Sequence, residues 1–203
     1  MDIALTIEII GVAIGLWYLY LEYKASFWLW SVGILMSVFY IVIFFNSKFY
    51  ADAAIYAYYL GANVYGLLVW RRHRNENIQN ELYSSEKQKD ELPITPMPSR
   101  LILPLSLIFV AFWTILWFVL RRFTDSPVPL GDSFTTALSV VAMFLMAKKH
   151  MEHWLLWVVV NAASVALYAW KDLYPLACLF VLYTAVSVMG YFRWRKIAAG
   201  SKV

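Results

Sequence analysis

Cysteine and histidine are scarce in this sequence. The single cysteine, Cys178, lies inside an apolar run, so the chain can form no internal disulfide and no cysteine-based metal site. The three histidines, His73, His150 and His153, stand beside basic loops and outside the apolar runs. We therefore expect no metal ion, no cofactor and no histidine proton relay within a membrane.

Enzyme motifs are also missing. The sequence contains no H-E-x-x-H, G-x-S-x-G, C-x-x-C or P-loop pattern, and no pair of carboxylates inside an apolar run. The 17 Lys and Arg against 13 Asp and Glu give a net charge of +4. Basic residues at the ends of apolar helices account for this charge without a nucleic-acid partner. We predict a protein that is not an enzyme and does not bind nucleic acid.

Apolar residues, in contrast, make up 62% of the chain and aromatic residues 18%, with a mean hydropathy of +0.62. Seven apolar runs have the roughly 17 to 25 residues that a membrane-spanning helix needs. The runs cover residues 3–21, 27–45, 53–70, 101–120, 128–147, 154–170 and 173–192. The sequence predicts an all-α integral membrane protein with seven transmembrane helices in a lipid bilayer. The first run has no basic segment before it and no cleavage site after it, so we expect a retained helix.

Charged side chains are almost absent from these runs. Glu8 is the one candidate inside the first run, and Asp52 and Asp132 stand at the starts of runs near the predicted outer surface. Ion-driven transporters usually use an ionisable residue within the membrane. A hydrated carboxylate near a helix N-terminus is the favoured interpretation of Glu8. An ion-coupled transporter that uses Glu8 is the alternative.

The distribution of Lys and Arg predicts the orientation. If the N-terminus lies outside, 13 basic residues fall on the inner side and 4 on the outer side, namely Lys48, Arg121, Arg122 and Lys171. This asymmetry favours an outer N-terminus and a cytoplasmic C-terminus. Residues 71–100 form a polar cytoplasmic linker with three prolines near its end, for which we expect no regular structure.

An internal repeat appears when the third and seventh runs are aligned with an offset of 124 residues. Three residues of the third segment, Tyr59, Gly66 and Trp70, then align with three at the end of the chain, Tyr183, Gly190 and Trp194. We predict two parallel three-helix repeats, residues 1–70 and 124–196, with linker 71–100, an inverter helix at 101–123 and a tail at 197–203. Binding sites in such folds lie between the repeats near the membrane midplane.

The clearest candidate site is a stripe on the sixth run. Trp154, Trp157 and Asn161 are spaced i, i+3, i+7 and so share one face of an α-helix. An amide that faces lipid is costly, so this face is expected to meet protein or a water-filled path. One interpretation is an interfacial aromatic belt with an interhelical hydrogen bond. The other is a binding wall for a flat, cationic organic ligand.

The third run carries a second stripe with the same spacing. Tyr56, Tyr59 and Asn63 offer aromatic rings and an amide, which suit a flat ring that bears hydroxyl groups. Hydrogen bonding between helices is again the plain alternative. In the repeat alignment, Ser187 occupies the place of Asn63, which allows a pseudo-symmetric polar pair.

Several of these segments together resemble the PnuC family of bacterial vitamin transporters. They are residues 138–146, Lys148-Lys149, the W-x-x-W-x-x-x-N of Trp154, Trp157 and Asn161, Tyr50-Ala51-Asp52, Gly66 and Trp70. The resemblance covers all seven runs. It implies a 3+1+3 fold akin to SWEET sugar transporters, a homotrimer in the bacterial inner membrane, and facilitated diffusion with trapping by phosphorylation. In this family Trp154, Trp157 and Asn161 match the ligand-contacting motif.

The resemblance implies nicotinamide riboside as the substrate, with thiamine or riboflavin as alternatives. The family often has Glu-Asn-Trp where this chain has Glu152-His153-Trp154, and Gln where it has Asn46. Nicotinamide riboside and thiamine both contain a positively charged aromatic ring. Tryptophan attracts such a ring through cation–π interaction, so both vitamins would suit the tryptophan wall, and the sequence does not separate the two. A non-transport membrane subunit is the most distant alternative.

Overall fold

The computed structural model describes residues 3–46, 50–83 and 92–200, and within these it is all-helical. Seven α-helices follow one another as α1 (Ile3–Tyr23), α2 (Trp28–Asn46), α3 (Tyr50–Tyr83), α4 (Ile102–Phe123), α5 (Pro129–Ala147), α6 (His153–Trp170) and α7 (Tyr174–Gly200). A short 3₁₀ turn, Ser99–Leu101, precedes α4. The all-α prediction is confirmed. The side chains of Glu8 and Asp52, and all of Lys48, lie outside the described part of the chain.

Four helical stretches in the described residues are long and apolar enough to cross a membrane. They are Ser99–Phe123, Pro129–Ala147, His153–Trp170 and Tyr174–Gly200, and α2 adds a shorter apolar stretch, Trp28–Ile43. No residue of α4 is buried, and it displays Leu103, Leu107 and Phe118 on its surface. Apolar side chains exposed on this scale are stable in contact with lipid tails, as expected of a multi-pass membrane protein.

The prediction that residues 71–100 lack regular structure is wrong for their first part. Helix α3 continues past Trp70 to Tyr83. Residues 71–83 contain Arg, Glu, Gln and Leu and neither Gly nor Pro, so nothing ends the helix there. Extending an existing helix also avoids the cost of nucleating a new one. In the same way α7 runs eight residues beyond the predicted end, to Gly200.

The chain divides into two compact units, residues 1–91 and 92–203. In the first unit α1 packs against α2, and α2 packs against α3. In the second unit α4 packs against α5, α5 against α6, and α6 against α7. The predicted inverter helix therefore packs within the second unit, on the first helix of the predicted second repeat.

The turn between α1 and α2 and the turn between α5 and α6 share one backbone conformation at the 124-residue offset. Ala25 has φ 54° and Lys149 has φ 52°, a left-handed conformation that is uncommon outside glycine. In each turn the amide of the following residue donates a hydrogen bond to the carbonyl five residues earlier, as in a Schellman-type helix end. These bonds run from Ser26 to Leu21 at 2.9 Å and from His150 to Leu145 at 3.0 Å. The internal similarity thus extends from the sequence to the hydrogen bonds of the turns.

Candidate functional site

Trp154, the first residue of the predicted stripe on α6, is completely buried between α6 and α7. A Cβ added at Gly190 would lie 2.6 Å from its indole ring, so the glycine makes room for the ring. The edge of this ring meets Trp194 at a centroid distance of 5.9 Å and an interplanar angle of 85°. We call Trp154, Gly190 and Trp194 the second tryptophan seam. It fixes the distance between α6 and α7.

The first unit contains the same arrangement. Trp30 on α2 is fully buried, a Cβ at Gly66 would overlap its ring, and it meets Trp70 at 5.4 Å and 86°. We call these three residues the first tryptophan seam. Trp30 lies 124 residues before Trp154, so the repeat alignment relates these two tryptophans. Sequence reasoning missed this correspondence. The recurrence assigns Trp154 a packing role that is independent of any ligand.

His153 adds an aromatic contact to the second seam. Its ring is fully buried, with its centroid 4.7 Å from that of Trp154 and 4.6 Å from that of Trp194. Its Nδ1 lies 2.8 Å from the carbonyl oxygen of His150. The residue at the corresponding place in the first unit is the fully buried Leu29. The histidine that departs from the Glu-Asn-Trp pattern is therefore a core residue next to the predicted stripe.

Asn161, the amide of the same stripe, bonds across to α7. It is 6% exposed, and its Nδ2 donates to the hydroxyl of Ser187 at 3.2 Å. That hydroxyl donates in turn to the carbonyl of Tyr183 at 2.8 Å. One N–H of the Asn161 amide and the Ser187 hydroxyl each have an acceptor, which orients the Asn161 amide group. The polar residue that the sequence predicted to face protein does so.

Trp157 is the part of the stripe that stays partly exposed. It lies one turn before Asn161 on α6, so the two side chains follow one another along one face of the helix. The indole nitrogen of Trp157 is itself buried and has no hydrogen-bond partner among the described residues, which is also true of Trp30 and Trp154. Trp157 thus places a partly exposed indole one turn from an oriented amide that is itself buried.

The predicted stripe of the first unit is also aromatic and polar. Tyr56 stacks on Tyr40 of α2 at a centroid distance of 4.7 Å, and its edge meets Tyr59 at 5.8 Å. Sequence reasoning missed Tyr40, because no pattern links it to the stripe on α3. Asn63 is 3% exposed, and its Nδ2 donates to the carbonyl of Tyr59 at 2.8 Å.

Each unit buries an amide side chain and a hydroxyl side chain on neighbouring helices, and the order of the two along the chain is reversed between the units. In the first unit the hydroxyl is on α2, at Ser37, and the amide is on α3, at Asn63. In the second unit the amide is on α6, at Asn161, and the hydroxyl is on α7, at Ser187. The offset of 124 relates Ser37 to Asn161 as well as Asn63 to Ser187, and all four residues are buried. Each unit therefore buries one amide and one hydroxyl at matching places, with opposite assignments.

The segment before α4 is hydrogen-bonded to the α5–α6 turn, an arrangement that we call the linker clasp. The Thr95 amide donates to the carbonyl of Lys149, and the Met151 amide donates to the carbonyl of Thr95, each at 3.1 Å. The Met97 amide donates to Glu152 Oε2 at 2.8 Å. Residues 95–97 lie in the predicted linker, for which no ordered contact was expected.

His150 completes the linker clasp. Its Nδ1 lies 3.2 Å from the hydroxyl of Thr95. Burial lowers the pKa of His150 from its usual value, and Lys148 and His153 lower it further, while the bond to Thr95 and the charge of Glu152 act in the opposite direction. Burial therefore favours the neutral imidazole in the folded protein, against the two contacts that belong to the clasp.

An ion pair joins the other ends of α5 and α6. Lys171 Nζ lies 3.0 Å from Asp132 Oδ1 and 3.3 Å from Oδ2, and the hydroxyl of Ser126 donates to Oδ2 at 2.7 Å. Both charged side chains are partly exposed, so the pair adds little stability alone. Among the residues that were searched, no group of three or more His, Cys, Asp or Glu side chains could hold a metal ion.

Comparisons with known proteins identify the class of protein that this helical fold and site define. Residues 5–196 match the family model described as "Nicotinamide mononucleotide transporter". The nicotinamide riboside transporter PnuC of Escherichia coli (strain K12) is 27% identical over 207 residues, covering 93% of this chain and 84% of that protein. The PnuC of Neisseria mucosa is 27% identical over 172 residues, covering 81% of this chain and 62% of that protein.

A solved structure has the same fold. The crystal structure of the vitamin B3 transporter PnuC aligns with a TM-score of 0.67 and 23% identity, over 93% of this chain and 80% of that one. The chain is therefore a membrane transporter. It belongs to the PnuC family, as its W-x-x-W-x-x-x-N stripe and basic loop indicated.

Proposed function

We propose that this protein carries nicotinamide riboside into the bacterial cytoplasm by facilitated diffusion, and that phosphorylation inside the cell traps the product. The observation that carries this proposal is the α6 stripe, where the partly exposed ring of Trp157 lies beside an Asn161 amide oriented by Ser187. The pyridinium ring of nicotinamide riboside is a flat cation that suits an indole face. Its carboxamide and ribose hydroxyls suit an amide.

We propose as substrate contacts the six residues of the two stripes, which are Trp154, Trp157 and Asn161 on α6 and Tyr56, Tyr59 and Asn63 on α3. Burial separates their roles. Trp157, Tyr56 and Tyr59 are partly exposed, and they offer ring faces directly. Trp154, Asn63 and Asn161 are buried, so a ligand reaches them only when neighbouring side chains move.

The membrane arrangement that we propose has seven spans, an outer N-terminus and a cytoplasmic C-terminus in the bacterial inner membrane. The 13 to 4 division of basic residues supports this orientation. We also propose two parallel three-helix repeats related as in SWEET transporters, and a homotrimer. The shared turn hydrogen bonds and the two tryptophan seams support the common origin of the repeats.

Uptake into proteoliposomes that contain the purified protein and no kinase tests the proposal. We expect labelled nicotinamide riboside to enter until its inner and outer concentrations are equal, with or without a proton or sodium gradient, when the membrane potential is held at zero. The potential must be controlled because the substrate is itself a cation. Accumulation driven by a gradient, and lost in Glu8→Gln, would instead establish the ion-coupled alternative. Faster uptake of thiamine or riboflavin than of nicotinamide riboside would reassign the substrate. No flux of the three vitamins would refute the transport proposal itself.

A further inference from the structure

The Asn63 side chain has an acceptor that the described residues leave unused. Its Nδ2 must face the Tyr59 carbonyl, because a carbonyl oxygen can only accept, so its Oδ1 faces away. Oδ1 is fully buried and has no hydrogen-bond partner among the described residues. Buried acceptors are rarely left unpaired, since each has given up its hydrogen bonds to water.

Gly33 determines where this oxygen lies. A Cβ added at Gly33 would overlap Oδ1 of Asn63 and lie 2.6 Å from Cγ. Only a residue without a Cβ allows the amide to rest on α2 in this way. The nearby hydroxyl of Ser37 donates to the Gly33 carbonyl at 2.7 Å, so in this structure it is not donated to Asn63.

The second unit provides a natural comparison. At the offset of 124, Trp157 replaces Gly33 and Ser187 replaces Asn63. The Ser187 hydroxyl both accepts from Asn161 and donates to Tyr183, so it has partners for both functions. The first unit has the Asn63 amide at the place where the second unit has the hydrogen-bonded Ser187 hydroxyl. The first unit also has Gly33, which leaves room for that amide. Among the described residues, Asn63 is the one whose amide oxygen is fully buried and without a hydrogen-bond partner.

We propose that Gly33 is a positioning residue, which holds Asn63 so that Oδ1 accepts a hydrogen bond from an uncharged N–H or O–H group of the transported vitamin. This inference rests on the proposed function and assigns the donor class that the first unit recognises. Nicotinamide riboside offers such donors in its carboxamide and in its ribose. Gly33 acts through Asn63 and has no side chain with which to touch the ligand.

The test compares four variants of the full-length protein purified in detergent. Gly33→Ala displaces the amide, Asn63→Ser removes it in imitation of Ser187, and the double variant combines both changes. Gly61→Ala is the matched control, because a Cβ at Gly61 on α3 would meet nothing within 4 Å. Calorimetry gives the Kd for nicotinamide riboside, and a thermal unfolding scan gives the Tm.

We expect Gly33→Ala and Asn63→Ser each to weaken binding roughly tenfold, the effect of one lost hydrogen bond. The double variant should bind like either single variant, because both remove the same contact. Its Tm should exceed that of Gly33→Ala, because serine relieves the overlap. Gly61→Ala should bind like the parent protein. If Gly33 had only a structural role, Gly33→Ala would lower the Tm, but the Kd values of the two single variants and the double variant would not agree.

Nicotinic acid riboside identifies the donor, because a carboxylate replaces the carboxamide N–H while the ribose is retained. If the carboxamide is the donor, Gly33→Ala should weaken binding of nicotinamide riboside much more than binding of the acid. If a ribose hydroxyl is the donor, both ligands should lose affinity equally.

Parent-like affinity in a folded Gly33→Ala variant would overturn the inference, while binding by the parent protein would leave the proposed function standing. If Gly33→Ala does not fold, Asn63→Ser and the double variant decide, and parent-like affinity in either overturns it. A parent protein that binds none of the three vitamins would instead show that the proposed function has failed.

Discussion

The two tryptophan seams allow the packing role of a residue to be separated from its role in binding. Trp154 and Trp30 occupy matching places, are both fully buried, and each rests on a glycine. Trp30 is not among the proposed substrate contacts. The variants Trp154→Ala and Trp30→Ala should therefore share the loss of packing, and only the first should also lose a contact with the ligand.

The magnitude of the shared loss follows from the burial of the two rings. Replacing a buried tryptophan by alanine typically lowers the free energy of unfolding by about 3–5 kcal/mol. Lipid tails are as apolar as the protein interior, so the lower end of this range is expected here, where lost packing dominates. The edge contacts with Trp70 and Trp194 contribute ~0.5–1.5 kcal/mol of it.

The binding loss is expected only on the α6 stripe. A cation–π contact contributes ~0.5–2 kcal/mol, so Trp154→Ala should raise the Kd for nicotinamide riboside roughly 2- to 30-fold beyond any change in Trp30→Ala. Trp157→Ala should give a similar increase with a smaller loss of stability, because its ring is already partly exposed. Trp157→Phe keeps a π face and should lose less affinity than Trp157→Leu.

Thermal unfolding and calorimetry on the same purified samples measure both effects. Equal affinities in Trp154→Ala and Trp30→Ala would show that Trp154 only packs. Unaltered affinity in a stable Trp157→Ala variant would refute the assignment of the α6 stripe to the substrate. A smaller stability loss in Trp30→Ala than in Trp157→Ala would contradict the argument from burial.

Three further predictions concern the amide, the linker clasp and the orientation. Asn161→Leu should weaken vitamin binding by roughly 1–3 kcal/mol by calorimetry, because a buried ligand group loses its partner; unchanged affinity would argue against the contact. Because the pKa of His150 is lower in the folded protein, the stabilisation from its neutral form is complete above its unfolded pKa of about 6.5 and declines as the pH falls below that value. The protection of the Thr95 amide against hydrogen exchange, relative to its intrinsic rate at each pH, should therefore fall on acidification, and His150→Gln should abolish that fall; an equal fall in both proteins would rule out this origin. Single cysteines in residues 71–100, in a Cys178→Ser background, should resist an impermeant thiol reagent on intact cells, whereas labelling from outside would reverse the predicted orientation.

The sequence was sufficient to predict the helices, because the length of an apolar run translates directly into a membrane-spanning helix. The spacing of Trp157 and Asn161 likewise placed them on one face of α6. Burial could not be predicted in the same way. The spacing of Trp154 is identical to that of a ligand contact, and only the position of Gly190 opposite its ring reveals the packing role.

The features that sequence reasoning missed depend on contacts between distant residues. The close contact between Gly33 and the Asn63 side chain joins two helices, and no periodicity within either helix encodes it. The linker clasp joins Thr95 to the side chain of His150 across 55 positions. Its bonds to Lys149 and Met151 use backbone groups that every residue possesses. The helical extension of α3 to Tyr83 was predictable in principle, because residues 71–83 contain no helix breaker.

The linker clasp also bears on how the second unit is made. Residues 95–97 precede α4, and residues 149–152 follow α5, so their hydrogen bonds require both ends of this helical hairpin to lie on one side of the membrane. During synthesis the clasp can close only after α4 and α5 have been inserted in opposite directions and the turn before α6 has emerged. A chain in which only one of α4 and α5 crosses the membrane would hold the two segments a bilayer apart. The clasp therefore forms only in a chain in which both helices have crossed the membrane.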